Sequence, residues 1–196
     1  PLPQTDFSYC FYNSTFDNTD NFESLLRNII QLSNGSYMFA GTTITNIDIL
    51  NRITLSEGAI LDYMFAGCLN LVSADGLNIS NKVSSAIGML KDCTNITTAT
   101  NMRIRARGPV KQFMQGCRKL TTIAGGILEN VTDCSFMFEG DSNLTNVLDK
   151  LPSTVNGKAV LMYGDCGIEI LSNTRFEKGS YTQGYNDNGI FKGCPI

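Results

Sequence analysis

One short motif recurs along the whole chain, and its spacing limits the folds open to it. The clearest copies read Met64-Phe65-Ala66-Gly67-Cys68-Leu69-Asn70-Leu71, Met89-Leu90-Lys91-Asp92-Cys93-Thr94-Asn95-Ile96 and Phe113-Met114-Gln115-Gly116-Cys117-Arg118-Lys119-Leu120. Further copies start at Met38 and Met137, with looser ones at Cys10, Met162 and Ile190. Successive starts are 28, 26, 25, 24, 24, 25 and 28 residues apart. A fixed period of this size marks an array in which each unit buries its apolar side only against its neighbours. The expectation is one elongated domain of about eight repeats over residues 1–196. Its fold class would be an α/β repeat solenoid, with a parallel β-sheet on one face and short helical turns or loops on the other.

Within one repeat, the fourth motif position is Asn13, Gly41, Gly67, Asp92, Gly116, Gly140, Asp165 or Gly193. Only Gly, Asn and Asp occur there, and these residues tolerate a left-handed backbone. A short helical turn closed by a left-handed cap accounts for the restriction, and Gly58 to Phe65 carries apolar residues at helical spacing. The fifth position is Cys68, Cys93, Cys117, Cys166 or Cys194 in five copies, and the apolar anchors Leu71, Ile96, Leu120 and Leu144 follow. The stretch Leu120 to Ile123, with Thr and a β-branched residue, predicts an extended strand. Strands of successive repeats would stack at about 4.8 Å. The first linker differs: Phe22, Leu25, Leu26, Ile29 and Ile30 form an amphipathic stripe. Asp20 with Glu23 offers a capping box, so a core-facing helix is expected over about residues 21–33.

Composition narrows the function classes. A net charge of −3 argues against nucleic acid, whose binding draws on clustered Lys and Arg. Charged residues are 17% of the chain, against about 25% usually, and Asn, Thr and Ser take the surface instead. No apolar run approaches the roughly 20 residues that span a bilayer. The absence of His removes the commonest general base and most catalytic zinc sites. Pro1 in place of an initiator Met, with motif copies at both ends, suggests a piece of a longer protein.

The pattern Met64-Phe65-Ala66-Gly67-Cys68-Leu69-Asn70-Leu71, with Gly116-Cys117-Arg118-Lys119-Leu120-Thr121-Thr122, resembles the BspA-type leucine-rich repeats. The Leu2-Pro3 and Leu151-Pro152 steps, each about ten residues before a motif start, are similar to that family too. Such repeats resemble those of bacterial and parasite surface proteins and of tail or fibre proteins of gut phages. The resemblance implies a non-enzymatic adhesion or recognition module with a variable ligand. Thr42 and Asp141 depart from the pattern at the cysteine position, and the first and last copies have decayed.

Each candidate site competes with a plainer reading. Five of the seven cysteines fall at one repeat position and would form an inward ladder of free thiols rather than disulfides, since the total is odd and no Cys-x-x-Cys occurs. Six Asn-x-Ser/Thr sequons, at Asn13, Asn34, Asn78, Asn95, Asn130 and Asn143, could carry glycans in a eukaryotic secreted protein. Asn70, Asn95 and Asn143 share a register, however, and are better read as turn residues bonding neighbouring backbone. Arg103, Arg105 and Arg107 alternate along an extended segment and could receive an anion; a solvated face is the default. Thr174 to Gly189 mixes Arg175, Tyr181 and Tyr185 with Gly, Ser, Asn and Gln, as recognition loops do. Between the inward anchors, Asn46, Asp48, Ser73, Asp75, Thr98, Thr100, Thr122 and Asn146 should point outward from the sheet and offer rows of small polar groups to a glycan. This face lacks aromatic platforms.

Asp48 and Asp75 could imitate a glycosidase pair, but periodic surface positions generate such pairs by chance. No catalytic residue, cofactor or metal is expected; Asn186-Asp187-Asn188-Gly189 is too short for a 12-residue calcium loop. The leading expectation is a non-catalytic module at a bacterial surface or in a phage virion, extracellular in either case. It would bind a protein or glycan of a host or partner, without binding nucleic acid or spanning a membrane. The alternative is a structural spacer or decoration element.

Overall fold

The computed structural model describes residues 5–16, 31–124, 127–148 and 164–167. They contain ten short strands: β1 (Thr5–Asp6), β2 (Leu32–Asn34), β3 (Leu55–Ile60), β4 (Asn78–Ile79), β5 (Val83–Ser85), β6 (Thr98–Thr100), β7 (Arg103–Ile104), β8 (Thr122–Ala124), β9 (Ile127–Leu128) and β10 (Asn146–Leu148). Every ladder is parallel. The strands form three sheets, ordered β1-β2-β3-β5, β6-β8-β10 and β4-β7-β9. Thr98 lies opposite Thr122 and Thr122 opposite Asn146, while Asn78 lies opposite Arg103 and Arg103 opposite Ile127. Each step follows the sequence period. Three sheets therefore replace the single sheet expected.

Helix is nearly absent. The only helical element among the described residues is the 3-10 turn Asp48–Asn51, so the α component is corrected. The run from Gly58 to Phe65, expected to be helical, is the end of β3 followed by a turn. Ala59 and Leu61 are buried while Ile60 between them is exposed, an alternation of two that belongs to a strand. Residues 21–30 of the expected amphipathic helix lie outside the described residues, and its expected end is instead β2.

The motif itself is a chain of overlapping turns with two left-handed residues four apart. The fourth position has positive φ in all seven described copies, from Asn13 (55°) to Asp165 (54°). The residue just before the motif does the same: Tyr9, Tyr37, Tyr63, Gly88, Gln112 and Phe136 all have positive φ. Alternate N–H groups divide their duties. Met38, Ala40 and Thr42 donate three residues back, to Gly35, Tyr37 and Phe39. Tyr37, Phe39 and Gly41 donate instead to Asp62, Met64 and Ala66 of the next copy, at 2.9, 2.8 and 2.7 Å. The pattern recurs from Tyr63 to Ile87, Phe65 to Met89 and Gly67 to Lys91, and from Gln112 to Ser135, Met114 to Met137 and Gly116 to Glu139. Backbone polar groups are thus satisfied without helix or continuous strand.

The core is one continuous cluster. The first two motif positions are buried in five successive copies, from Met38 and Phe39 to Met137 and Phe138, and so are Leu71, Ile96, Leu120 and Leu144. The six described cysteines carry free thiols. Four form a buried column in which each thiol donates to the second-position carbonyl one copy upstream: Cys68 to Phe39 (3.0 Å), Cys93 to Phe65 (3.1 Å), Cys117 to Leu90 (3.3 Å) and Cys166 to Phe138 (2.9 Å). Burial raises the pKa of Cys68, Cys93 and Cys117, which leaves them inert as nucleophiles. Cys134 lies at another register and is pushed up to about 12, by burial first and by Asp133 second.

Candidate functional site

The expected polar face is partly assembled. Ser73 bridges to Thr98, and Thr98, Thr100 and Thr122 sit on β6 and β8, half-buried. Asp75 joins them by accepting from the Thr98 hydroxyl (3.0 Å), the Thr100 N–H (2.7 Å) and the Thr100 hydroxyl (2.9 Å). Burial opposes ionisation of Asp75, but these donors together with Ser73 outweigh it and hold the carboxyl below its ordinary value. The carboxylate therefore ties one unit to the next. No bond among the described residues joins Asn46 or Asp48 to this cluster: they precede and open the 3-10 turn, where Asn46 Oδ1 accepts from the Asp48 N–H at 3.1 Å. Asn146 lies on β10, and nothing is described of its side chain.

The asparagine register is structural. Asn70 Nδ2 donates to the Thr43 carbonyl (3.2 Å), Asn95 to Leu69 (2.6 Å) and Asn143 to Arg118 (2.7 Å), each in the preceding copy. Of the basic residues, Arg105 pairs with Glu129 at 3.3 Å and Arg107 with Glu57 at 3.9 Å. Arg103 is exposed with no acidic partner among the described residues. Two of the three guanidinium groups are thus already engaged, which weakens the case for an anion site. Arg175, Tyr181 and Tyr185, with the loop Thr174 to Gly189, lie outside the described residues.

An aromatic platform, held to be missing from the sheet face, is present at a different place. Tyr9, Tyr37 and Tyr63, the left-handed residues before the first three motif copies, stack with ring centroids 4.7 and 4.8 Å apart and planes inclined by 8° and 14°. Tyr12 stands edge-on to Tyr9 at 5.6 Å and to Tyr37 at 6.4 Å. Tyr9 and Tyr12 are 55% and 49% exposed, among the most exposed large apolar side chains described. Burial raises the pKa of the Tyr37 hydroxyl, with Tyr63, Tyr9, Asp62 and Tyr12 adding to it. The column ends at Gly88, where a Cβ would collide with the Tyr63 ring, and the Tyr63 hydroxyl donates across it to Gln112 at 3.3 Å. The signal was present in the sequence as Tyr at one register in three consecutive copies. It was missed because Tyr does not favour a left-handed backbone.

Among the described residues no group of three or more acidic or cysteine side chains could hold a metal ion, and no helix is long and apolar enough to cross a membrane. Comparison with protein-family models, curated proteins and solved structures finds no match to this chain.

Proposed function

We propose that the chain is a BspA-type leucine-rich-repeat solenoid that acts as a non-catalytic recognition module at a bacterial surface or in a virion. The solenoid reading is supported by hydrogen-bond rungs that join each motif copy to the next at the sequence period. The observation that carries the functional reading is the tyrosine corner. Tyr9 and Tyr12 expose large rings set at 69° to one another, and the core does not require that exposure. Rings with a hydroxyl at one end stack on the apolar face of a sugar or receive a partner side chain, at little cost in conformational entropy.

The test is glycan-array and host-surface binding by the wild type and by the double variant Tyr9→Ala, Tyr12→Ala. Recognition predicts at least a tenfold loss of binding with an unchanged far-ultraviolet spectrum. Equal binding by both proteins would sink the assignment to this corner. The alternative, a spacer or decoration element, is favoured by the rungs that recur between successive described copies, which suit a stiff rod. It predicts no ligand, together with failure of particle or surface assembly when the chain is removed.

A further inference from the structure

The thiol column contains one foreign member. Asp141 occupies the fifth motif position, between Cys117 and Cys166 in the series, and is 0% exposed. Neither of its carboxyl oxygens has a hydrogen-bond partner. In the neighbouring copies, each second-position carbonyl accepts twice: from the fifth-position N–H of its own copy and from the thiol of the next. Phe65 accepts in this way from Cys68 N–H and Cys93 Sγ, and Leu90 from Cys93 N–H and Cys117 Sγ. Met114 accepts from the Cys117 N–H at 3.1 Å and is the carbonyl that this pattern leaves for residue 141. The position calls for a donor, and an ionised carboxylate has none.

We propose that Asp141 is held as a neutral carboxylic acid at neutral pH, its hydroxyl available to the Met114 carbonyl as a substitute for the missing thiol. The joint between the copies at Phe113 and Met137 is therefore sensitive to alkali. Charge and burial agree with this. Burial pushes the carboxyl up to about 9. The N–H groups of Cys117 and Gly116 pull the other way, but both are already committed, to Met114 and Glu139. The titratable groups bearing on the site are Asp92 and Cys117, and each would repel a carboxylate when ionised. No cation among the described residues pairs with Asp141.

The sign follows from linkage. In the unfolded chain Asp141 loses its proton near 3.8, and in the folded chain near 9. Its favourable contribution is thus complete below pH 3.8 and is lost as pH rises through about 9. Within that window, this one proton multiplies the unfolding constant by about ten per pH unit. Urea unfolding of the wild type, Asp141→Asn and Asp141→Cys between pH 5 and 9 isolates the contribution, since all other groups are shared. The cysteine variant restores the residue found in the neighbouring copies, so it should fold even if the asparagine variant does not. The expected result is a steeper fall of stability with pH in the wild type than in Asp141→Cys. A second readout is an infrared band of a protonated carboxylic acid in the wild type at pH 7, which titrates away at alkaline pH. Parallel pH slopes in the wild type and Asp141→Cys, or no such band, would overturn the proposal.

Discussion

Two aromatic columns run side by side through the first three motif copies, two residues apart in sequence. The inner one stacks Phe11, Phe39 and Phe65, with centroids 5.4 and 5.6 Å apart and planes within 10°. The outer one stacks Tyr9, Tyr37 and Tyr63 at 4.7 and 4.8 Å. Both follow from the same rungs, because the N–H groups of Tyr37 and Phe39 donate to the same neighbouring copy. They differ in cover: Phe39 and Phe65 are fully buried, whereas the tyrosines line the surface. The period of the repeat imposes the stacking, and the side of the turn decides whether a stack becomes core or contact surface. Past the third copy the columns diverge. The inner one stays apolar through Leu90, Met114 and Phe138, while the outer one passes to Gly88, Gln112 and Phe136.

The largest effect should come from breaking the inner column. Phe65→Ala removes a fully buried ring and should cost about 3–5 kcal/mol in urea unfolding. A loss below about 1 kcal/mol would mean that the inner stack is not core. At the point where the outer column stops, Gly88→Ala places a Cβ against the Tyr63 ring on a left-handed backbone of φ 57°. The cost should be about 1–2 kcal/mol, and coupling to Tyr63→Ala in a double-mutant cycle would locate it in the ring contact. The smallest effect separates the columns by titration, since only the outer one carries ionisable groups. The Tyr37 hydroxyl has its pKa raised above the ordinary 10.0. The stability it confers is therefore present below pH 10.0 and is lost as pH rises through its folded value. Tyr37→Phe should lose less stability above pH 10 than the wild type; equal loss would show that Tyr37 does not contribute.

The sequence made some positions legible and hid others for physical reasons. Position four was readable because unaided left-handed backbone admits few residue types, and Asn13, Asp92 and Asp165 fit that list as well as the glycines do. The residue before the motif was not, because Tyr63 and Gln112 are held left-handed by rungs to neighbouring copies rather than by their own preference. Ala59, Leu61, Met64 and Phe65 matched a helical spacing, yet a strand followed by a turn buries the same four residues. The bonds that bind Asp75 into the polar face come from Thr98 and Thr100, which no local pattern links to it.

The alternation of N–H duties along the motif has a consequence for how such a chain can change in length. From Tyr37 to Thr42 every second donor serves its own turn and every other one serves the adjacent copy. Deleting a single residue there would exchange the two sets, orphan several buried amides and turn the phenylalanine side outward, much as a slipped register inverts a strand. Outside the motif turns and the strand ladders the connecting stretches face no such parity, and that is where the variation between 24 and 28 residues per copy must be absorbed. Growth or shrinkage of the array is thereby channelled to the segments that join the turns.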